Sequence, residues 1–487
     1  MRTHLPALLL ALTAACGGLD GGYGATDFGA TPGGVKDLRL ARELVAAGQV
    51  PPADALLVEA MFAEHDLGLT GAACARTLCL RGAAGIAPEL DGTTRGWAQV
   101  GLSSTIDPAT WQRPSTTFVL TVDVSGSMGW TYGEDASTPA ALSVELLHSL
   151  ANQLRPDDRV AIVTYGSAVN VPLSPIAGDQ QGTIHARIAA LAENGSTNME
   201  AGMVKAYEIG ATARGTTEQV RVIVFTDVQP NVGATAGSEF EGMVRDAAAG
   251  DVHTTVLALG LGIGPEVMRA MASLRGANAY SLTRPGDIDT FMADEYPWFT
   301  TPIAYDLRVN ASLGGGWSID RGLGFPASSD AQQIGLKVDT VFLSKRKGAL
   351  LVALTPPAGD VPPAPSTLTG TFQLAYAEPD GTAVTAEAPF GGDAVSVDAR
   401  GQWFQQASTA RTTALALLTE AMHDAAVAYE QTPTLALELL TTARDRFAAD
   451  ATALGGDDLP VELELVTAMR ALVEQGAPQG TLYGAGY

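Results

Sequence analysis

Cysteine is scarce in this chain, with three among 487 residues. A structural zinc site needs four closely spaced ligands, usually Cys or His. No second cysteine or histidine pair lies near Cys74 and Cys79, and none of the six histidines has a cysteine or histidine at ligand spacing. The sequence therefore argues against zinc, and the histidines are interpreted as helix-surface or core residues.

Basic residues and long apolar runs are also few. Lys and Arg number 29 against 53 Asp and Glu, which gives a formal net charge of −24. This balance argues against nucleic acid and against a polybasic membrane contact. No segment approaches eighteen uninterrupted apolar residues, so we predict no transmembrane helix.

Cys74 and Cys79 leave two alternatives open, a disulfide or two reduced thiols. Five residues of helix rise about 7.5 Å, whereas the Cα atoms of a bridged pair usually lie about 4.4–6.8 Å apart. A bridge between them therefore requires a turn, with which the nearby Gly71 is compatible.

The amino terminus has the pattern of an export signal. Arg2 precedes an apolar stretch at 5–12, which is followed by small residues and Cys16. Small residues before a cysteine resemble a bacterial lipoprotein processing site, which implies that Cys16 is lipidated. The alternative is an ordinary secretory signal. We expect an exported protein of the bacterial cell envelope, anchored by lipid to the outer membrane or cell surface.

Oxygen-bearing side chains occur in three separate loops. The first loop follows the β-branched run 118–122, the second precedes a helical pattern that begins at residue 199, and the third follows the apolar run 222–226. Their candidate ligands are, in chain order, Asp123, Ser125, Ser127, Thr197 and Asp227. Open α/β sheets bind ligands at the carboxyl ends of their parallel strands. Carboxylates and hydroxyls are hard donors of the type that magnesium prefers.

Together these residues resemble the metal-ion-dependent adhesion site of von Willebrand factor A (vWA) domains, over about residues 115–298. The resemblance implies a doubly wound, mostly parallel, Rossmann-like α/β sheet that holds Mg²⁺, with Ca²⁺ or Mn²⁺ as alternatives. The three hydroxyls would bind the ion directly, and the two carboxylates directly or through water. The family most often has Gly after the third-loop acid, whereas this chain has Val228. Each position alone also suits a turn or helix cap.

Enzyme signatures are weak. The first loop lacks the second acid of aspartyl-phosphate phosphatases, because Ser125 stands in its place, and no Gly-x-Ser-x-Gly elbow surrounds either serine. We predict a protein that is not an enzyme, with a metal-dependent hydrolase as a minor alternative.

Changes in composition and in hydrophobic pattern along the chain predict seven segments. They are a lipoprotein-type signal peptide (1–16), a Gly-rich tether (17–34), an N-terminal helical and loop segment (35–114), the vWA domain (115–298), a β-sandwich-like domain (299–403), a helical C-terminal region (404–476) and a flexible tail (477–487). Whether the 299–403 region recruits strands from residues 67–114 stays open.

The predicted function is protein binding. A Mg²⁺ ion at the three loops would bind an Asp or Glu of an unknown partner protein, and the membrane would be contacted only through the lipid anchor. The alternative is a structural or assembly protein whose metal only stabilises its own loops.

Overall fold

The structure is a computed structural model that describes residues 28–132, 137–192, 195–326, 336–359, 363–392 and 401–480. The predicted signal segment with Cys16, the predicted tether before residue 28 and the tail after residue 480 lie outside the described residues. Within the described ranges, no helix has the length and apolar character needed to cross a membrane.

The described residues form seventeen strands and eleven α-helices. The strands are β1 (Gly29–Pro32), β2 (Gly34–Val35), β3 (Leu78–Pro88), β4 (Thr94–Ser104), β5 (Thr116–Asp123), β6 (Arg159–Tyr165), β7 (Val169–Ala177), β8 (Gln219–Thr226), β9 (Val252–Leu259), β10 (Asn278–Leu282), β11 (Pro302–Leu313), β12 (Ser318–Leu323), β13 (Lys337–Ser344), β14 (Gly348–Thr355), β15 (Thr369–Ala377), β16 (Ala383–Gly391) and β17 (Trp403–Phe404). The helices are α1 (Arg39–Ala46), α2 (Val58–Glu64), α3 (Pro139–Asn152), α4 (Gln181–Ile188), α5 (Met199–Ala213), α6 (Gly237–Ala249), α7 (Pro265–Ala272), α8 (Gly286–Asp294), α9 (Ala407–Tyr429), α10 (Pro433–Leu454) and α11 (Leu459–Gln475).

A mostly parallel sheet has the strand order β2-β10-β9-β8-β5-β6-β7. Its inner strand β5 is buried along its whole length, as expected for a β-branched run covered by helices on both faces. Alternate residues of β5 enter different cores: Phe118 packs with α3 and α4, and Val119 belongs to the core that includes α5 and α6. The doubly wound α/β prediction is confirmed. The predicted antiparallel edge strand is also present, because β7 pairs antiparallel with β6.

A second, antiparallel sheet has the order β12-β14-β4-β1-β13-β11-β15-β16, with β3 and β17 joined beyond β4. Strand β16 packs on β3, and the backbone of Pro389 approaches Gly82 so closely that a Cβ there would lie 2.7 Å from its carbonyl oxygen. The β-strands predicted after residue 299 are therefore present. Strands from the amino-terminal part of the chain complete their sheet.

The predicted boundaries before residue 115 need correction. The end of the predicted tether 17–34 is a buried strand, since β1 pairs with both β13 and β4. The predicted helical and loop segment 35–114 contains α1 and α2 but also the two eleven-residue strands β3 and β4. The 299–403 region does recruit strands from residues 67–114, because β4 pairs with β14 and β3 pairs with β4.

Helices α9, α10 and α11 form the predicted C-terminal helical region. Their apolar residues share one core with α1, α2 and one face of the parallel sheet. The start of the predicted flexible tail is held in place, because the Gly480 N–H donates to the Val50 carbonyl at 2.7 Å and the Val50 N–H donates to Pro478 at 2.9 Å.

Cys74 and Cys79 form a disulfide, with Cα atoms 5.5 Å apart. The chain bends over residues 75–77 and enters β3 at Leu78. Of the two alternatives left open by the sequence, the structure has the bridge.

Candidate metal centre

The three predicted loops meet at the carboxyl edge of the parallel sheet. Asp123 ends β5 and Asp227 follows the neighbouring strand β8. The Gly126 N–H donates to the Gly195 carbonyl at 2.7 Å, which ties the first loop to the second. The second loop is tied to the third, because the Thr197 N–H donates to Oδ1 of Asn231 at 2.9 Å.

Asp123 is held in one orientation by its neighbours. Its Oδ1 accepts a hydrogen bond from the Ser125 N–H at 2.9 Å, and its Oδ2 accepts one from the Thr226 hydroxyl at 3.0 Å. The Ser125 and Ser127 hydroxyl oxygens lie 3.2 Å apart. Ser125 is buried, whereas Ser127 is half-buried beside the exposed Gly126. The first loop therefore offers oxygen atoms that extend from the sheet edge toward the surface.

Thr197 and Asp227 bring polar atoms that the protein itself does not satisfy. The Thr197 hydroxyl and both carboxylate oxygens of Asp227 are buried without a hydrogen-bond partner among the described residues. The Ser127 hydroxyl and the Gln229 N–H lie close enough to lower the pKa of Asp227 in part, but neither makes a hydrogen bond of normal geometry. Unpaired buried polar atoms are rare in folded proteins and call for an explanation.

The two carboxylates carry an electrostatic penalty. Burial, and after it the charge of the nearby Asp227, raise the pKa of Asp123 to about 7. Burial also raises the pKa of Asp227. No described Lys, Arg or His lies within ion-pair distance of either acid. Two like charges at one buried place, with no protein cation, leave a deficit of positive charge.

This donor set fits a small hard cation. Mg²⁺ takes about six oxygen ligands and readily keeps water among them. The side chains that would hold it are Asp123, Ser125, Ser127, Thr197 and Asp227. A cation would coordinate the unsatisfied oxygens of Thr197 and Asp227. Its positive charge would compensate the negative charges of the two buried carboxylates.

Val228 departs from the family pattern, and the structure shows how it is accommodated. Its backbone has φ +56°, in the left-handed region that favours glycine, which accounts for the glycine that the family most often has there. The side chain is 2% exposed and belongs to the core shared with α5 to α7. Val228 therefore packs inward and does not cover the loops.

Two supporting residues were not singled out from the sequence. Thr226 orients Asp123, and its only sequence signal is its position immediately before the third-loop acid. Asn231 holds the backbone of Thr197 from 34 residues away. Nothing in the sequence marks Asn231, because its role depends on how the second and third loops pack.

A doubly wound sheet with these loops at its carboxyl edge defines a Rossmann-like domain of the vWA class. Residues 118–229 match the model of the von Willebrand factor type A domain family, and this range spans all five candidate ligands. The chain therefore contains a vWA domain, a type of module that generally mediates protein interaction or adhesion.

Individual relatives are more distant. An uncharacterized Escherichia coli protein, YfbK, is 27% identical over 205 residues, which is 42% of this chain and 35% of that protein. The chain thus matches about a third of the length of this curated relative. A von Willebrand factor type A structure from Catenulispora acidiphila is 14% identical, with a TM-score of 0.49, and covers 78% of this chain and 89% of its own. The ArnB paralog VWA2 from Sulfolobus acidocaldarius is 15% identical, with a TM-score of 0.40, and covers 81% of this chain and 97% of its own.

Proposed function

We propose that this chain is an exported, lipid-anchored protein whose vWA domain binds an acidic group of a partner protein through Mg²⁺. The observation that carries the proposal is the convergence of three oxygen-bearing loops with an unsatisfied hydroxyl on Thr197 and an unsatisfied carboxylate on Asp227. In a turn or a helix cap these oxygens would accept hydrogen bonds from the backbone. Because they accept none, they are better suited to bind a cation.

The first loop is the part of the site that a partner would reach. Gly126 is exposed, Ser127 is half-buried and Trp130 is half exposed. A bound Mg²⁺ would supply a positive centre with an open position for a carboxylate from outside. The protein's own residues would hold and orient that centre, with Asp123 fixed by Ser125 and Thr226.

Export is supported by two features besides the signal pattern. The disulfide between Cys74 and Cys79 suits an oxidising compartment, because disulfides are rare in the reducing cytosol. The charge of −24 suits a solvated surface and draws divalent cations toward the protein. Lipidation of Cys16 would leave the membrane contact to the anchor alone.

An alternative function is assembly through the C-terminal helices, with a metal that only stabilises its own loops. The observation that favours it is a set of exposed apolar side chains on these helices. Val427 on α9 is 60% exposed, Leu435 on α10 is 45% exposed and Val461 on α11 is 47% exposed. Exposed apolar side chains suit contact with another protein surface when they are contiguous.

Calorimetric titration of Mg²⁺ into the full chain tests the metal site. We expect saturable one-site binding in the wild type and none in Asp123→Ala or Asp227→Ala. Asp246→Ala is the matched control, since Asp246 is an exposed acid on α6 of the same domain, and it should bind as the wild type does. Wild-type protein that binds no Mg²⁺ would overturn the proposed site.

A second titration separates binding from assembly. Peptides with a central Glu should bind the Mg²⁺-loaded protein, and the same peptides with Gln should not. The oligomeric state, followed by light scattering, should be the same with and without Mg²⁺. Peptides that fail to bind, together with self-association that is lost in Val427→Ser, would favour the assembly alternative.

A further inference from the structure

Two histidines that are 37 residues apart in the sequence meet between helices α3 and α4, which pack on one face of the parallel sheet. His148 on α3 and His185 on α4 have Nδ1 atoms 2.7 Å apart. Their ring planes differ by 26° and their centroids are 4.9 Å apart, so the rings meet edge to edge through the two Nδ1 atoms. Both side chains are partly exposed. The helices that carry them pack against one core through Leu147 and Ile184, which fixes the two rings relative to each other.

The two histidine rings are not both positively charged in this arrangement, so a nitrogen lone pair is present between them. At 2.7 Å, one Nδ1 must accept the hydrogen that the other donates, so the two rings cannot both be protonated there. Burial lowers the pKa of His148, and the neighbouring His185 lowers it further. Neutral imidazole is the form that binds transition metals. A metal ion would bind both Nδ1 atoms when each neutral ring carries its hydrogen on Nε2, so the ring that now donates from Nδ1 would change tautomer.

Metal binding requires the two rings to separate and to tilt. Zinc binds imidazole nitrogen at about 2.0–2.1 Å, so two nitrogens on a tetrahedral ion lie about 3.3 Å apart. The present separation must open by roughly 0.6 Å, and the two partly exposed rings, whose Nδ1 atoms now point at each other, must tilt until both nitrogens face one ion. Imidazole suits Zn²⁺, Ni²⁺ and Cu²⁺, whereas carboxylate and hydroxyl oxygens suit Mg²⁺. The pair and the sheet-edge centre therefore differ in the metals that they select.

The remaining coordination positions would face a groove. Among the residues that the structure describes, no third His, Cys, Asp or Glu joins the pair to complete a metal cluster. His148 lines a largely apolar groove of about 890 Å³ that runs along α3 toward Asp123, and Glu145 lies one turn away on the same wall. Two protein ligands leave room for water or for a ligand that enters this groove.

We propose that His148 and His185 form a second metal site, which takes a divalent transition-metal ion of the Zn²⁺, Ni²⁺ or Cu²⁺ class and leaves open positions toward the groove. This inference does not depend on the proposed function, because it rests on different residues and a different donor chemistry.

Zinc titration with a chromophoric competitor tests this site in the full chain with Mg²⁺ in saturating excess. We expect one Zn²⁺ to bind and its affinity to fall at least tenfold in His148→Asn and in His185→Asn. Two controls should keep wild-type affinity. His423→Asn removes a partly exposed histidine on α9, and Asp123→Ala removes a ligand of the sheet-edge centre. Each variant is first shown by urea unfolding to be folded.

Three outcomes would overturn the proposal. One is wild-type protein without saturable Zn²⁺ binding, which would leave the histidines as a hydrogen-bonded pair. Another is wild-type affinity in either histidine variant. The third is loss of the zinc site in Asp123→Ala, which would move it to the sheet edge. Paramagnetic resonance of the Cu²⁺-loaded wild type provides a readout that needs no variant, since hyperfine splitting from two nitrogens is expected and oxygen-only ligation would contradict it.

Discussion

Asp227 combines burial, a like charge nearby and an unsatisfied carboxylate in one side chain. Asp227→Asn keeps the shape of the side chain and removes the charge. In EDTA we expect the free energy of unfolding to rise by about 1–3 kcal/mol, because a buried uncompensated charge is lost. Stabilisation by Mg²⁺ should disappear. Urea unfolding with EDTA and with Mg²⁺ measures both effects.

Asp246→Asn provides the comparison for that experiment. It removes an exposed acid from α6 and should change neither the stability in EDTA nor the effect of Mg²⁺. If Mg²⁺ stabilises Asp227→Asn as much as it stabilises the wild type, Asp227 is not a metal ligand.

His253 makes the fold sensitive to acid. Burial, and after it the charges of Arg221 and Arg275, lower its pKa to about 3. Tyr305 faces the same ring, with its hydroxyl 3.5 Å from Nε2. The unfolded chain, with a pKa of about 6.5, binds more protons below that pH, so stability is full above about pH 6.5 and falls as the pH drops toward 3.

The size of this effect can be measured against a variant. Between pH 7 and pH 5 the wild type should lose about 2 kcal/mol through His253. His253→Asn should lose correspondingly less over the same interval in urea unfolding. His423→Asn, which removes a partly exposed histidine, should follow the wild type. Equal acid sensitivity in His253→Asn and the wild type would show that His253 is not the group responsible.

The candidate site shows what a sequence can reveal about single residues. Asp123, Ser125, Ser127, Thr197 and Asp227 could be named because their spacing follows predicted strand ends, which bring loops to one sheet edge. Asn231 and the pair of His148 and His185 could not be named. Their roles come from the packing of loops or helices, and spacing along the chain does not determine that packing.

At the scale of elements, one charged cluster joins α2 to α11. His65, just after α2, lies 3.1 Å from Glu462 and 2.7 Å from Asp458, and Arg42 donates to Glu462 at 2.9 Å. Burial opposes the charge on His65, but hydrogen bonds to Asp458 and Glu462 outweigh it and raise its pKa. Burial opposes the charge on Glu462 as well, yet His65 and Arg42 lower its pKa overall.

Glu462→Gln should therefore destabilise the attachment of α11. Breaking a buried ion pair leaves its partners uncompensated, and we expect a loss of about 3 kcal/mol in urea unfolding. His65 contributes fully below about pH 6.5 and loses its contribution as the pH rises through its folded pKa. Glu462 contributes fully above about pH 4.3 and loses its contribution in acid. The loss should thus be greatest between about pH 4.5 and 6.5.

Glu464→Gln is the control for this prediction, because Glu464 is exposed on the same helix. It should unfold as the wild type does at every pH. A Glu462→Gln penalty that stays constant as the pH rises above about 6.5 would mean that Arg42, and not His65, gives the cluster its stability.

The elements also show where sequence interpretation reaches its limit. The β/α alternation between residues 115 and 298 is strong, because its strands are β-branched runs and its helices are amphipathic. Strands β3 and β4 are rich in Gly and Ala, which have low strand propensity. Small residues are required there by close packing: a Cβ on Gly85 would lie 2.0 Å from the Phe404 ring. Only the folded partner shows why these segments are strands.

At the scale of the whole molecule, the amino-terminal segment is structurally inseparable from the sheet that follows the vWA domain. Strands β13 and β14 are consecutive in the sequence but are not neighbours, because β4 and β1 lie between them. Strand β4 pairs with β14 over seven residues, and β1 pairs with β13. Without residues 17–114, strands β11 to β16 would divide into two groups with no ladder between them, and β17 would lose its partner β3.

A pair of truncations tests this interleaving. A chain that begins at residue 28 keeps β1 and β2 and is the reference. A chain that begins at residue 36 loses β1 and β2, together with the buried side chains of Phe28 and Val35. Each buried apolar side chain contributes about 1.5–3 kcal/mol, so a loss of about 3–6 kcal/mol is expected in urea unfolding. Equal stability of the two truncated chains would contradict the role of β1, whereas the expected loss would show that the amino-terminal strands stabilise the sheet that follows the vWA domain.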